Sequence, residues 1–245
     1  PKVQIMSYQN FKHILFLDIE TVPQYSSYVE LDERMKALWA KKADKIKSND
    51  DDTPEKIYNK AGIYAEFGKI ICISAGYFHE NSFRITAYGG HDEKEILLSF
   101  SNLLNSFNKR SGAVLCAHNG KEFDFPYICR RMLINGLPIP SIIDSSGKKP
   151  WETTFIDTME MWRFGDYKNY TSLELLTAVF NIPTPKDEID GSMVYDYYWN
   201  KKQLDTIIKY CRKDVLAIAQ LYLRMKGQAL ISEDQVLMIE LNKGS

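Results

Sequence analysis

Five side chains in three separate stretches of the chain have the types and spacing needed for metal-assisted hydrolysis. Asp18 and Glu20 follow an apolar run, and Asp124 ends a polar stretch in the middle of the chain. Tyr210 precedes Asp214 by four residues near the end of the sequence. Cleaving a phosphodiester between two hard cations about 3.5–4 Å apart requires several converging carboxylates. Oxygen ligands select Mg²⁺ or Mn²⁺, so the set predicts a site for two such ions.

The first two acids belong to a predicted strand. Residues 13–18 form a short apolar run rich in branched side chains, which is typical of a buried strand. The following Thr21-Val22-Pro23 is predicted to end or bend this strand. We expect that ending to bring Asp18 and Glu20 into one site.

The next elements alternate between strands and a helix. Residues 69–78 and 82–88 are predicted to pair as a hairpin, because two apolar runs flank a short polar turn. Residues 92–110 place apolar side chains at steps of three and four, which predicts an amphipathic helix. Short strands are predicted at 113–117 and 155–157.

Two helices are predicted to carry the remaining acids. Pro126 stands where the first turn of a helix tolerates proline, which puts Asp124 at a helix start. Residues 203–225 read as one long helix. Tyr210 and Asp214 lie four apart within it and therefore on the same face.

Two charged or turn-rich segments, 30–60 and 141–150, are predicted to be surface insertions. At 245 residues the chain is long enough to bury a full core. We predict a single domain over residues 1–245, with a mixed α/β sheet of about five strands flanked by helices.

Composition excludes several classes of function. The formal net charge is −1, so no chain-wide positive field holds nucleic acid, and a polyanion must be held by metal ions and a local patch. The histidines show no helical metal-ligand spacing, which argues against zinc. The four cysteines form no CxxC pair, and we interpret them as reduced structural thiols: Cys72, Cys116, Cys129 and Cys211.

The sequence favours a cytoplasmic protein. No run of 18 or more apolar residues could span a bilayer, and residues 1–10 do not have the pattern of an export signal. We therefore expect no membrane insertion.

Three motifs in this order resemble a known family. Asp18-Ile19-Glu20, then Asn119 through Phe123-Asp124, then Tyr210 through Asp214 are similar to the exonuclease motifs of the DEDD (DnaQ-like) 3′–5′ exonucleases, Tyr-type branch. The resemblance is strongest to the proofreading domain of family B DNA polymerases and to the stand-alone predicted exonucleases related to it. It implies an RNase H-like fold and hydrolysis of single-stranded nucleic acid from its 3′ end. It favours DNA over RNA and leaves open which polymerase or repair partner, if any, the protein serves.

The resemblance also implies roles for the acids. Asp18, Glu20 and Asp214 resemble the ligands of the catalytic metal, and Asp18 and Asp124 those of the second metal. Asp18 would bridge the two. Tyr210 resembles the residue whose hydroxyl positions the attacking water, since a phenol of pKa near 10 is a poor base at neutral pH.

Four further residues match positions that contact substrate in similar proteins, and each also has a structural interpretation. Thr21 and Asn119 resemble groups that touch the terminal nucleotide, yet Thr21 is equally typical of a turn and Asn119 of the left-handed conformation in turns. Phe123 would pack beneath the site. Lys186 resembles a lysine near the substrate in ribonuclease D-like relatives, or is an ordinary exposed lysine.

Other aromatic and basic side chains have weaker claims. Exposed aromatic rings can stack on bases, although such clusters more often pack in the core or at its rim. The aromatic candidates are Trp162, Phe164, Tyr167 and Tyr170. Cationic side chains can bind phosphates, although a charged helix face is more often simply solvated. The cationic candidates are Lys121, Arg130, Arg131 and Lys168.

Two competing interpretations are weaker. A haloacid-dehalogenase-type phosphatase also begins with a strand and an acid, but position 20 is Glu and that family leaves Tyr210 and Asp214 unexplained. The other alternative is a catalytically silent RNase H-like module that binds nucleic acid or a partner protein. Loss of activity usually deletes acids, and all four are present here.

Overall fold

The computed structural model describes residues 8–166, 168, 170–183 and 189–240. Its strands, in chain order, are β1 (Ile14–Pro23), β2 (Gly68–His79), β3 (Ser82–Gly89), β4 (Val114–Ala117), β5 (Ile156–Asp157) and β6 (Val236–Met238). Its α-helices are α1 (Glu33–Ile46), α2 (Glu93–Phe107), α3 (Asp124–Ile134), α4 (Thr158–Arg163), α5 (Leu173–Val179) and α6 (Leu204–Met225). No α-helix among these residues is both long and apolar enough to cross a bilayer.

The strands form one mixed sheet in the order β5-β4-β1-β2-β3-β6. β1 is antiparallel to β2 and parallel to β4, so it is hydrogen-bonded on both sides. The predicted mixed α/β sheet flanked by helices is confirmed. The estimate of about five strands missed β6, an edge strand of three residues of which two are exposed. Such a strand has too little hydrophobic alternation to be recognised from sequence.

The two faces of β1 pack against different helices. Leu15, Leu17 and Ile19 belong to a core that also contains residues of α2 and α3. Ile14 and Phe16 face the other way, into a core shared with α6. Because side chains alternate along a strand, the even-numbered positions of β1 continue towards α6.

The expected end of the strand at residues 21–23 was wrong. β1 continues to Pro23, and its pairing with β2 shifts register between Glu20 and Thr21. No ending is needed to bring the acids together, because residues two apart on a strand lie on the same face. Asp18 and Glu20 therefore share the face that carries Ile14 and Phe16.

Two glycines let α6 lie close to the sheet. A Cβ added at Gly76 would lie 2.6 Å from the Phe83 ring and 2.9 Å from Cγ1 of Val215 on α6. A Cβ at Gly89 would overlap Ile208, also on α6. Any residue larger than glycine at either position would clash with its neighbours. The two glycines therefore set the distance between α6 and strands β2 and β3.

A buried ion pair joins α2 to α3. Arg131 donates from Nε to Oε1 of Glu93 at 2.8 Å and from Nη1 to the carbonyl of Ala65 at 2.8 Å. The same Glu93 oxygen accepts the backbone N–H of Ile70 at 2.7 Å. Arg131 is only 4% exposed, so the structure contradicts the suggestion that it contacts phosphate. Its partner lies 38 residues earlier, which no local pattern reveals.

The segment 30–60 is more than a loop. It contains α1, whose Trp39 is fully buried in a cluster with Tyr58 and Phe67 and donates from Nε1 to the carbonyl of Pro54 at 2.8 Å. Its description as a surface insertion, like that of 141–150 and the single-domain organisation, stays a prediction.

We predict that Gly76→Ala lowers the free energy of unfolding by about 1–3 kcal/mol, the usual cost of overpacking a filled core. The added methyl must displace Phe83 or Val215, both fully buried. Urea unfolding measures the change. Gly191→Ala is the matched control, because a Cβ there meets nothing within 4 Å. Equal stability of the Gly76 variant and the wild type would contradict the close packing of α6.

Candidate active site

Asp18 and Glu20 lie side by side on the α6 face of β1. One carboxylate oxygen from each and the Sγ of Cys211 all lie within 4.8 Å of one another. Cys211 belongs to α6, and its thiol donates to the backbone carbonyl of Asp18 at 3.5 Å. Glu20 is only 7% exposed. The long C-terminal helix thus covers the two acids directly.

Asp124 contacts β1 along the edge that pairs with β4. β4 pairs with β1 only as far as Phe16 and Cys116, so the edge of β1 is free of β4 beyond that point. Asp124, the first residue of α3, fills part of this space, and its Oδ1 accepts the backbone N–H of Ile19 at 3.2 Å. The predicted position of Asp124 at a helix start is confirmed.

Tyr210 and Asp214 complete the cluster from α6. They lie one turn apart on the helix, and the Tyr210 hydroxyl is hydrogen-bonded to the Asp214 carboxylate. The charge of Asp214 acts on Asp18, Glu20 and Asp124 alike. The structure therefore brings together all five residues that the sequence singled out.

The surroundings of Asp18, Glu20 and Asp124 disfavour the ionised form of each carboxyl group. Burial raises the pKa of Asp18 and of Glu20 well above their ordinary values, and the neighbouring carboxylates raise both further. Burial also raises the pKa of Asp124 to about 7, although hydrogen bonds from its own backbone and from Ile19 oppose the shift. Without counter-charge, these acids take up protons more readily than ordinary carboxyl groups do.

The donor atoms fit hard divalent cations. Oδ2 of Asp18 is buried and has no hydrogen-bond partner among the described residues, so it is available as a ligand. The remaining donors are carboxylate oxygens, which suit Mg²⁺ or Mn²⁺. Burial raises the pKa of the Cys211 thiol well above its ordinary value, so this group is not the thiolate that a softer metal such as zinc prefers.

A turn after β4 carries Asn119, five residues before Asp124. Asn119 has the left-handed conformation (φ 60°) that the sequence suggested for it. Its backbone N–H donates to Oδ1 of Asp157 at 2.9 Å, and that of Lys121 donates to Oδ2 at 3.1 Å. Its own side-chain Oδ1 is buried without a partner in the described structure. An unpaired buried acceptor is costly, and a ligand donor at this position would remove that cost.

Asp157 is the residue that the sequence analysis missed. It ends β5, caps α4 by accepting the N–H of Met159 at 2.9 Å, and fixes the Asn119 turn. An acid between a short strand and a helix start is the available signal, but it also marks an ordinary N-cap. Asp157 additionally raises the pKa of Asp124 through its charge.

The other predicted substrate contacts are less clearly placed. The side chain of Thr21 is hydrogen-bonded to Tyr127. This bond gives Thr21 a structural role that needs no substrate. Phe123 immediately precedes α3 and packs on Tyr127 with ring centroids 5.3 Å apart. Lys186 lies outside the described residues.

The weaker candidates divide by exposure. Lys121 is paired with Glu160 at 2.6 Å, and Trp162 packs against Phe180 at 5.7 Å between centroids. Four candidates are solvent-exposed: Arg130, Phe164, Lys168 and Tyr170. Tyr167 lies outside the described residues.

A family model described as "Predicted 3'-5' exonuclease related to the exonuclease domain of PolB" matches residues 63–236. The chain belongs to this family. The matched range contains Asp124, Tyr210 and Asp214 but begins after β1. Asp18 and Glu20 lie outside the matched range. The structure nevertheless places them near the three residues that lie inside it.

The fold is similar to part of a family B DNA polymerase from the hyperthermophilic archaeon Pyrobaculum calidifontis. The TM-score is 0.54 at 15% sequence identity, over 86% of this chain and 24% of the polymerase chain. The chain thus matches about a quarter of that polymerase. The likeness supports the RNase H-like α/β fold, and the predicted resemblance to the family B exonucleases is confirmed.

We predict that the metal-free protein becomes less stable relative to Asp124→Asn as the pH rises from about 4 to 7. The pKa of Asp124 rises from 3.8 in a model peptide to about 7 in the fold, so the folded state binds its proton more tightly. The resulting stabilisation is complete below about pH 4 and is lost as the pH passes through 7. The asparagine side chain does not titrate, and its oxygen can still accept from Ile19.

Urea unfolding in EDTA at several pH values measures this difference. Asp44→Asn is the matched control, because Asp44 is exposed and Lys47 lowers its pKa, which confines any effect to lower pH. A stability difference between wild type and Asp124→Asn that is constant from pH 4 to 7 would falsify the raised pKa.

Proposed function

We propose that the protein is a metal-dependent 3′–5′ exonuclease that removes nucleotides from the 3′ end of single-stranded nucleic acid, with DNA preferred. The observation that carries the proposal is the convergence of four carboxylates from β1, α3 and α6, of which Asp18, Glu20 and Asp124 are desolvated. Membership of the exonuclease family supports the reaction class. The partnerless Oδ2 of Asp18 supports a ligand at the centre of the cluster.

The carboxylates divide naturally into two ligand sets. Asp18, Glu20 and Asp214 would hold one cation, while Asp18 and Asp124 would hold or orient the second. Asp18 would serve both, because its carboxylate lies near that of Glu20 and within electrostatic range of Asp124. When bound, a pair of such cations makes a water molecule more acidic and stabilises charge on the leaving oxygen.

Tyr210 orients the attacking water in this proposal. Burial, followed by the charges of Asp214, Glu20 and Asp18, raises the pKa of its hydroxyl, so the phenol stays protonated and cannot act as the base. The hydroxyl donates a hydrogen bond to Asp214. Its oxygen still has a lone pair that can accept a hydrogen bond from the water. The oxygen of that water forms a bond to phosphorus, and the bond from phosphorus to the 3′ oxygen of the preceding nucleotide breaks. The attacking water loses one proton to solvent, and the leaving 3′ oxygen takes one up from solvent, so the step balances.

Asn119 is the best supported substrate contact. Its buried Oδ1 lacks a donor in the described structure, and a terminal nucleotide offers one in its 3′ hydroxyl. Phe123 would pack beneath that nucleotide. Thr21 and Lys186 remain proposed contacts on the strength of the family resemblance alone.

A labelled-strand assay tests the proposed function. DNA and RNA strands of matched sequence, labelled at the 5′ end, are incubated with Mg²⁺ or Mn²⁺. The expected result is a ladder of products shortened from the 3′ end, stronger on DNA, and absent with EDTA. A strand with a blocked 3′ end is the control for internal cleavage. Binding of the strands without any cleavage would instead identify a silent binding module.

Two substitutions separate a metal ligand from the residue that positions water. Asp18→Ala removes the shared ligand, so Mn²⁺ binding and cleavage should be lost together. Tyr210→Phe retains the ring, so it should slow single-turnover cleavage by about 10²–10⁴-fold with Mn²⁺ affinity nearly unchanged. Calorimetric Mn²⁺ titration and single-turnover rates measure the two effects.

The matched control is Tyr222→Phe, which removes a hydroxyl from the same helix where Tyr222 packs on Phe16, away from the acids. Its rate should equal that of the wild type. Wild-type turnover by Tyr210→Phe removes Tyr210 from the mechanism, and full activity of Asp18→Ala contradicts the site itself.

A further inference from the structure

An exposed aromatic ring lies within electrostatic range of two of the acids. Tyr170 is 67% exposed, so much of its ring is accessible to a ligand from solvent. Burial of its hydroxyl raises the pKa of Tyr170, and the charges of Asp124 and Asp18 raise it further. The hydroxyl is therefore within electrostatic range of Asp124 and Asp18, while the geometry that places Tyr170 at the site comes from the residues beside it.

A histidine fixes the backbone next to this ring. His118 directly follows β4 and precedes Asn119. Its Nε2 is 2.9 Å from the carbonyl oxygen of Thr171, the residue after Tyr170, and its Nδ1 is 2.9 Å from Oγ1 of Thr158. The segment that carries Tyr170 is therefore attached to the end of the strand that leads into the Asn119 turn.

The hydrogen-bond partners determine the form of His118. A carbonyl oxygen can only accept, so Nε2 must carry the proton and donate to Thr171. Burial lowers the pKa of His118, which favours the neutral ring. In the neutral ring Nδ1 accepts, and the Thr158 hydroxyl supplies the donor. Both ring nitrogens are thus used to hold the loop rather than to do chemistry.

The charged groups of the proposed site leave the bases of a substrate without a contact. The acids and the cations they would hold act on phosphates, and the chain as a whole has a net charge of −1. The nearby cation Lys121 is already paired with Glu160. Stacking of a base on an aromatic ring is independent of charge and tolerates any base, because every base has a π face.

We propose that the Tyr170 ring stacks on a base at the single-stranded 3′ end and that His118 is the positioning residue that holds it there. This inference rests on the proposed exonuclease function and makes its substrate class more specific. A terminal base that is free of a duplex can stack on Tyr170, whereas a paired base is already stacked on its neighbour. Tyr170 therefore contributes to preference for single strands over paired ends.

Fluorescence of 2-aminopurine at the 3′ terminus tests stacking without relying on turnover. The strand carries a phosphorothioate at its last linkage to slow cleavage. We expect the wild type and Tyr170→Phe to quench the fluorescence on binding, and Tyr170→Ala to lose the quenching with about 5- to 150-fold weaker affinity. For a strand with an abasic 3′ terminus, the wild type and Tyr170→Ala should bind equally.

Matched variants separate this role from general effects on the surface. Trp151 is 76% exposed, so Trp151→Ala removes a comparable ring and should leave the quenching unchanged. His118→Ala should lose the quenching while its Mn²⁺ affinity stays that of the wild type. His118→Gln, whose amide can donate to Thr171, should recover part of it.

The outcomes distinguish this inference from the proposed function. Unchanged quenching in Tyr170→Ala, or equal loss in Trp151→Ala, overturns the stacking role even if the wild type degrades DNA. Quenching that depends on Tyr170 in a protein that cleaves nothing supports the stacking role and contradicts the exonuclease. Preserved quenching in His118→Ala overturns the positioning role of the histidine.

Discussion

Mutual repulsion among four clustered carboxylates is the constraint on which this structure depends. Asp18, Glu20 and Asp124 are desolvated, and each lies within electrostatic range of other acids, so the arrangement is costly unless the fold enforces it. The fold does so with rigid elements. β1 is paired on both sides, and α6 lies against the sheet at a height set by Gly76 and Gly89. The packing of α6 on the sheet through Val215 and Ile208 offsets the cost of assembling the site.

Hydrogen bonds around the site also hold the acids and the Asn119 turn in position. The N–H of Ile19 is available because β4 stops pairing with β1 beyond Phe16, and it is this N–H that holds Asp124. Asp157 uses both carboxylate oxygens to fix the turn that presents Asn119. Polar groups that have partners thus surround two that have none among the described residues, on Asp18 and Asn119. That contrast is consistent with the ligand site proposed above.

The sequence predicted what depends on local pattern or on chemical type. Alternation and helical spacing were enough to locate β2, β3, α2 and α6, and the need for converging carboxylates picked out the acids. Features that depend on contacts distant in sequence were missed. The burial of Arg131 on Glu93 and the attachment of Thr171 to His118 involve partners 38 and 53 residues away. β6 was missed because a short, exposed edge strand has almost no pattern of its own.

The wide separation of the acids along the chain has a consequence for biosynthesis. The bond from Cys211 to the backbone of Asp18 spans 193 residues, and α6 covers the face of β1 on which Asp18 and Glu20 lie. Such long-range contacts form slowly, and a growing chain emerges from its N-terminal side first. The ribosome therefore releases β1 long before its covering helix exists. The four acids therefore cannot come together in one site until nearly all of the matched family region has been made.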